Sequence, residues 1–212
     1  MKAVLFDLDG TLLDTLGDLA AAVNRTLAKY ALPPRTLDEV RAFVGNGVEK
    51  LMERAVPDGR SDPRFEQLLA DFKADYALHA ADSTAPYPGV VALLQALKAR
   101  GCKVGVVSNK FDAATKALCA RYFGPLVDVA VGENERGGVR KKPAPDTVLA
   151  AMQQLGASEG VYVGDSEVDI ETARNAKLPC LSVTWGFRSR EQLLQSSASV
   201  LIDTPEDVLA HL

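Results

Sequence analysis

Hydrophobic positions along this chain follow two rhythms. Short apolar runs bounded by turn formers occur at KAVLF (2–6), KVGVVS (103–108), VDVAVG (127–132), GVYVG (160–164), CLSVTW (180–185) and ASVLID (198–203). Runs of this length, rich in β-branched residues, predict buried strands. Between them lie stretches with helical spacing: PGVVALLQALKARG (88–101), DAATKALCARYFG (112–124), PDTVLAAMQQLG (145–156) and DIETARNAKL (169–178), with PEDVLAHL (205–212) as a closing helix. The first has a proline in its opening turn and a glycine just past its end, the expected asymmetry of helix termini. Strands alternating with helices imply right-handed crossovers and a doubly wound, Rossmann-like α/β core. Its sheet is mostly parallel and covered on both faces.

Residues 15–86 break the alternation. Leu16, Leu19, Ala20, Val23 and Leu27 share one helical face. Thr36 followed by Glu39 resembles a capping box ahead of a second helix. Val48, Leu51, Met52 and Ala55 make a third apolar face, and Phe65, Leu68, Leu69, Phe72 and Tyr76 a fourth. The expected organisation is a catalytic core from residues 1–14 and 87–212, with an α-helical cap domain (15–86) inserted after the first strand. LLDTLG and APYPGV, with their turn formers, are the expected linkers.

Composition narrows the partners. A net charge of −4 disfavours nucleic acid and anionic membrane surfaces. No apolar run approaches the roughly 20 residues that span a bilayer. Cys102, Cys119 and Cys180 are scattered in apolar contexts, which predicts inert core thiols rather than a disulfide framework. The expected setting is the cytoplasm, and oligomeric state is not readable.

The candidate chemistry lies where strands end, because open α/β sheets bind ligands outside the carboxyl ends of their strands. The first strand runs into Asp7-Leu8-Asp9-Gly10-Thr11, the second into Ser108-Asn109-Lys110, and the strand at 160–164 into Asp165-Ser166-Glu167-Val168-Asp169. Arg140-Lys141-Lys142-Pro143 stands on a loop before a helix. Strand periodicity would turn Asp7 and Asp9 to the same side. Four carboxylates, a hydroxyl and a lysine are thus expected in one crevice. Like charges at about 4 Å repel by roughly 4 kcal/mol at an effective dielectric near 20, so such a cluster requires a cation or protonation. An all-oxygen donor set selects a hard ion such as Mg²⁺, which commonly shares its shell with a phosphate. Ser108, Lys142 and the backbone N–H groups of Gly10 and Asn109 are the candidate phosphate binders, with Thr11 beside them and Lys141 as the alternative to Lys142. Glu167 is expected to face solvent, Trp185 to pack or border the site, and Arg188 to reach its rim.

DLDGTLLDT, SNK, KKPAPD and GDSEVDIETA together resemble the four ordered motifs of the haloacid dehalogenase-like hydrolase superfamily. That resemblance implies roles. Asp7 is the nucleophile that forms an aspartyl-phosphate, and Asp9 the acid and base that moves the proton. Asp165 is the direct Mg²⁺ ligand, with Asp7 and the main-chain carbonyl of Asp9. Asp169 acts through water or orients Lys142, while Ser108 and Lys142 hold the transferring phosphoryl group. The second aspartate of the DxD pair implies a phosphatase rather than a dehalogenase. VGNGVEKLMERA, YPGVVALLQALKARG, SNK, VRKKPAPD and VTWGFRS resemble the phosphoglycolate phosphatase-like branch. This implies a small anionic phosphate monoester, 2-phosphoglycolate, whose carboxylate would meet the Gly45-Asn46-Gly47 turn and Lys50. Pyrophosphatases, sugar and nucleotide phosphatases and phosphomutases share these motifs and stay open as alternatives. So, more remotely, does a catalytically silent binding protein on the same fold.

Overall fold

The computed structural model describes residues 2–212, with every side chain in that range except that of Arg136. Two compact units emerge: the chain up to Leu13 together with Pro86–Leu212, and Asp14–Ala85. In chain order the elements begin with β1 (Lys2–Phe6) and β2 (Leu13–Asp14). Helices α1 (Leu16–Lys29), α2 (Leu37–Phe43), α3 (Val48–Ala55) and α4 (Phe65–His79) follow. The chain then passes through β3 (Ala85–Pro86), α5 (Val90–Ala99), β4 (Lys103–Phe111), α6 (Asp112–Tyr122), β5 (Val129–Glu133), α7 (Asp146–Leu155) and β6 (Glu159–Gly164). It ends with α8 (Glu167–Asn175), β7 (Cys180–Val183), α9 (Arg190–Gln195), β8 (Leu201–Ile202) and a 3₁₀ helix at Pro205–His211.

Among the described residues one sheet has six strands in the order β5-β4-β1-β6-β7-β8, each pair parallel. The doubly wound α/β architecture read from the sequence is thus the one observed. β1 is central because KAVLF can be buried on both faces: Ala3, Val4 and Leu5 are fully inaccessible. Leu5, Val107, Val131 and Tyr162 pack with Val148 and Ala151 of α7 and Ala173 of α8 on one face. The alternate residues Val4, Phe6, Val106 and Val163 are equally buried on the other.

Register brings the strand ends together. Phe6 pairs with Val106 on one side and Val163 on the other, so Asp7, Ser108 and Asp165 emerge at neighbouring positions on the same edge. The Asp7 N–H continues the ladder by donating to the Val163 carbonyl at 2.9 Å.

Three details depart from the sequence reading. The segments read as plain linkers carry a two-stranded ribbon, β2 with β3. The C-terminal segment, read as an α-helix, is 3₁₀. Helix α9 was not anticipated, although Ser189 and Gln192 form a full capping box at its start.

The Asp14–Ala85 unit is helical, and the apolar faces of α1 and α4 supply Leu19, Val23, Leu27, Leu68 and Phe72 to its core. Thr36 and Glu39 make the expected capping box. The unit also holds a buried carboxylate, Asp18, which accepts from the N–H and hydroxyl groups of both Ser83 and Thr84 at 2.6–3.1 Å. Burial opposes its charge, but these donors outweigh burial and hold Asp18 below the usual carboxylate range. Asp18→Ala should therefore destabilise this unit by about 2–4 kcal/mol, since buried donors lose a charged acceptor. A thermal melt reads the loss, and an unchanged melting curve would contradict it.

Candidate active site

At the end of β1 the strand pattern stops. Gly10 takes φ +88° and its N–H donates to Leu13 O, while the N–H groups of Thr11, Leu12 and Leu13 all turn back to Leu8 O. The Gly10 N–H, expected as a phosphate donor, is therefore used within this turn. The same turn changes the place of Asp9. Its carboxylate is not in the group that gathers round Asp7; both its oxygens accept from Lys110 Nζ, at 3.1 and 3.0 Å.

The carboxylates that press on Asp7 are those of Asp165 and Asp169, and ligand atoms of all three lie within 4.8 Å of one another. The anticipated group of four acidic side chains is a group of three. Burial pushes Asp7 well above the ordinary carboxylate range, Lys142 pulls it down, and Asp169 and Asp165 push it further up. Burial likewise raises Asp165 to about 7, with Asp169 adding to the effect.

Lys142 is the hub. Only 3% exposed, its Nζ lies 2.7 Å from Asp7 Oδ1 and 2.8 Å from Asp169 Oδ1. Burial disfavours the ammonium, yet Asp169 and Asp7 overcome that and raise it above the usual lysine range. The Asn109 side-chain amide holds the Lys142 backbone from both sides, accepting from its N–H at 2.6 Å and donating to its carbonyl at 3.1 Å. Asn109 is thus a clamp on the lysine loop. Of the two lysines, the one immediately before Pro143 makes the contacts with Asp7 and Asp169. Ser108 is 1% exposed at the same edge, its Oγ accepting from Lys110 N–H.

Asp169 is fully buried and saturated. Oδ1 accepts from Lys142 Nζ and from Tyr162 Oη at 2.9 Å; Oδ2 accepts from the Ser166 N–H and Oγ. Burial opposes ionisation there, but Lys142 and these hydroxyls win and lower Asp169 below the usual range. Of the two options read from the sequence, orienting Lys142 is the one this geometry favours.

Asp165 faces a tighter boundary. Its Oδ2 accepts from the Phe187 N–H at 2.7 Å, and Thr11 Oγ1 approaches Oδ1 at 3.4 Å. A Cβ added at Gly186 would stand 2.3 Å from Asp165 Cβ and 2.5 Å from Gly10 O. Gly186→Ala should displace Asp165 and raise the metal concentration needed for half-maximal activity at least roughly tenfold, about 1.4 kcal/mol; an unchanged metal dependence would contradict this.

The surrounding residues divide as follows. Glu167 pairs with Arg188 at 2.8 Å and does not join the cluster, while Arg188 is buried rather than at an open rim. Trp185 is half-buried and donates from Nε1 to the Thr11 carbonyl at 3.0 Å, bracing the loop after β1. In the helical unit, Gly45 and Gly47 take φ +124° and +84°, with Gly47 the N-cap of α3. Lys50, expected to meet a substrate carboxylate, is engaged by Glu53 at 2.5 Å. Sequence reasoning missed Tyr162, which resembles a core aromatic within a strand, and named Lys110 only as part of the strand end after Ser108, without a role.

Three clustered carboxylates with oxygen donors only, two of them driven toward protonation by their burial, suit a hard divalent cation. Because Asp169 has its oxygens committed, Asp7 and Asp165 are the side chains available to it.

The model of the haloacid dehalogenase-like hydrolase family matches residues 1–177. A phosphoglycolate phosphatase of Pseudomonas putida is 37% identical over 95% of this chain and 76% of its own. One from Rhodospirillum rubrum is 36% identical over 95% and 87%. A solved structure from Lactobacillus delbrueckii subsp. bulgaricus, 35% identical, superposes with a TM-score of 0.93 across 98% of this chain and 96% of that one. Sequence, sheet order and the acidic cluster at the strand ends thus agree, and the chain belongs to the haloacid dehalogenase-like hydrolase family.

Proposed function

We propose that the chain is a Mg²⁺-dependent phosphatase that hydrolyses 2-phosphoglycolate through an aspartyl-phosphate on Asp7. The observation that carries this reading is the contact of Asp7 with Lys142 beside Asp165, at strand ends where a phosphoryl group can be met by a nucleophile and a cation together. The names of the relatives above support the choice of ester.

In the proposed first step an Asp7 oxygen forms a bond to phosphorus and the bond to the leaving oxygen breaks, while Asp9 gives that oxygen a proton. In the second, Asp9 takes a proton from water, whose oxygen attacks phosphorus and releases Asp7 and inorganic phosphate. Lys142 and Ser108 are assigned to the phosphoryl oxygens, where charge accumulates in a loose transition state. Asp169 and Tyr162 hold Lys142 in place. Mg²⁺ held by Asp7, Asp165 and the main-chain carbonyl of Asp9 would, when bound, offset the negative charge of the phosphoryl oxygens. Asn109 acts on this chemistry through the lysine loop.

The helical unit is proposed as a cap that excludes water and selects the leaving group. Its Gly45-Asn46-Gly47 turn would add backbone N–H groups to the recognition of an anion. No helix among the described residues is long and apolar enough to cross a membrane. Cys102, Cys119 and Cys180 are free thiols, and burial pushes Cys119 and Cys180 up to about 12, which suits inert thiols in a reducing cytoplasm.

The test is a comparison of kcat/KM across phosphate esters with Mg²⁺ present. 2-Phosphoglycolate should exceed sugar phosphates, nucleoside monophosphates and pyrophosphate by at least about 100-fold, since polar groups left without their partner discriminate by up to roughly 10⁴–10⁵. A preference for any of those others would overturn the choice of ester, and no phosphate release from any ester would overturn the enzyme reading.

A further inference from the structure

Lys110 is a second buried cation at this strand edge, and the chemistry proposed above leaves it unused. Its side chain is 4% exposed. Burying an ammonium carries a desolvation penalty of several kcal/mol that only close partners offset, and the carboxylate of Asp9, 16% exposed, meets it at 3.0 Å. Lys110 lies two residues beyond Ser108, where the β4–β5 register shifts between Val107 and Phe111. That irregularity ends simple strand alternation just where the lysine is turned inward onto Asp9.

We infer that Lys110 is a specificity-determining residue, which binds a carboxylate attached directly to the ester carbon of the leaving alcohol. This rests on the phosphatase reading above and adds to it the group that selects the substrate class. The geometry follows from Asp9. A general acid must come within roughly 3 Å of the oxygen it protonates, and Lys110 Nζ is 3.0 Å from Asp9 Oδ2. The ammonium thus lies no more than about 6 Å from the leaving oxygen. In a glycolate leaving group the carboxylate oxygens stand about 3–4 Å from the ester oxygen, two C–C or C–O bonds of about 1.5 Å and one shorter bond away. A charge-assisted contact near 2.8 Å closes that triangle. A neutral alcohol of the same size gives the ammonium no such partner. Lys110 contacts Asp9, the residue assigned to the leaving oxygen, whereas Lys142 contacts Asp7 and Asp169.

The experiment compares 2-phosphoglycolate with 2-hydroxyethyl phosphate, which replaces the carboxylate by a hydroxymethyl group, in the full-length protein with Mg²⁺. Wild type should prefer 2-phosphoglycolate by about 100-fold in kcat/KM. Lys110→Met should cut that preference at least about tenfold, chiefly through KM, and Lys110→Arg should restore part of it. Proportional losses on both esters would assign Lys110 to holding Asp9 alone, overturning this inference while leaving the phosphatase reading intact. A wild type that hydrolyses other esters without favouring 2-phosphoglycolate would overturn both. Melting curves check the variants' fold. If Lys110→Met does not fold, inhibition of wild type decides: glycolate must compete at least about tenfold more strongly than ethylene glycol, and equal inhibition overturns the inference.

Discussion

Asp7→Asn should lower kcat by at least about 10⁴-fold, the scale seen when a nucleophile is removed from a site whose groups act as a unit. The carboxamide fills the same space and can still accept from Lys142, but it cannot form an acyl phosphate. Folding should survive. Asp7 is a buried carboxylate raised well above its ordinary range by burial and by Asp169 and Asp165, so a neutral side chain there relieves repulsion in the metal-free protein. The expected pattern is an inactive enzyme whose melting temperature, without Mg²⁺, equals or exceeds that of wild type. Residual turnover within tenfold of wild type would remove Asp7 from the nucleophile's role.

Lys142→Met should damage stability as well as activity. It leaves Asp169 fully buried beside Asp7 with its cation gone, and breaking such a pair costs about 3–5 kcal/mol, or on the order of 10 °C in Tm for a chain of this size. The pH dependence follows from the directions of the shifts. Asp169 sits below its unfolded range, so its stabilisation is present at neutral pH and lost as pH falls through the folded value. Asp7 and Asp165 are raised, Asp165 to about 7, so the folded state binds their protons more tightly and loses stability as pH rises toward 7. Lys142 is raised and stays charged across this window. Removing it should thus cost more at pH 8, where Asp165 has joined Asp169 in the ionised state, than near pH 5. A deficit in Tm that does not vary with pH would contradict this electrostatic account.

The residues that chemistry needs were legible because they end apolar strands. KAVLF, KVGVVS and GVYVG are too short and too apolar to be anything but buried strands. The polar residues that follow them must then meet at one edge once the strands are parallel and in register. Asp7, Ser108 and Asp165 could be found that way, whereas Lys142, on the loop before α7, was assigned its role through the family resemblance. What lay out of reach depends on turns and on side chains that reverse direction. The Asp9 carboxylate leaves the face its spacing predicts because the chain folds back onto Leu8 O immediately after it. Its contact with Lys110 joins residues 101 positions apart through a register shift that no local pattern encodes. Tyr162 occupies an ordinary core position in an apolar strand, and its role appears only when its hydroxyl meets Asp169. Helix α9, six residues long, fell below the length at which apolar spacing is informative, although its S-x-x-Q box was present. The ribbon of β2 and β3 has two residues in each strand, too few for alternation to register.

The central claim is that a covalent acyl phosphate forms on Asp7 during turnover of 2-phosphoglycolate. Quenching the Mg²⁺-loaded wild-type enzyme with borohydride during turnover reduces an acyl phosphate to an alcohol, which peptide mass spectrometry can locate. The account predicts homoserine at position 7, dependent on both Mg²⁺ and substrate and absent from Asp7→Asn. Reduction at another residue, or steady turnover with position 7 unmodified, would contradict it.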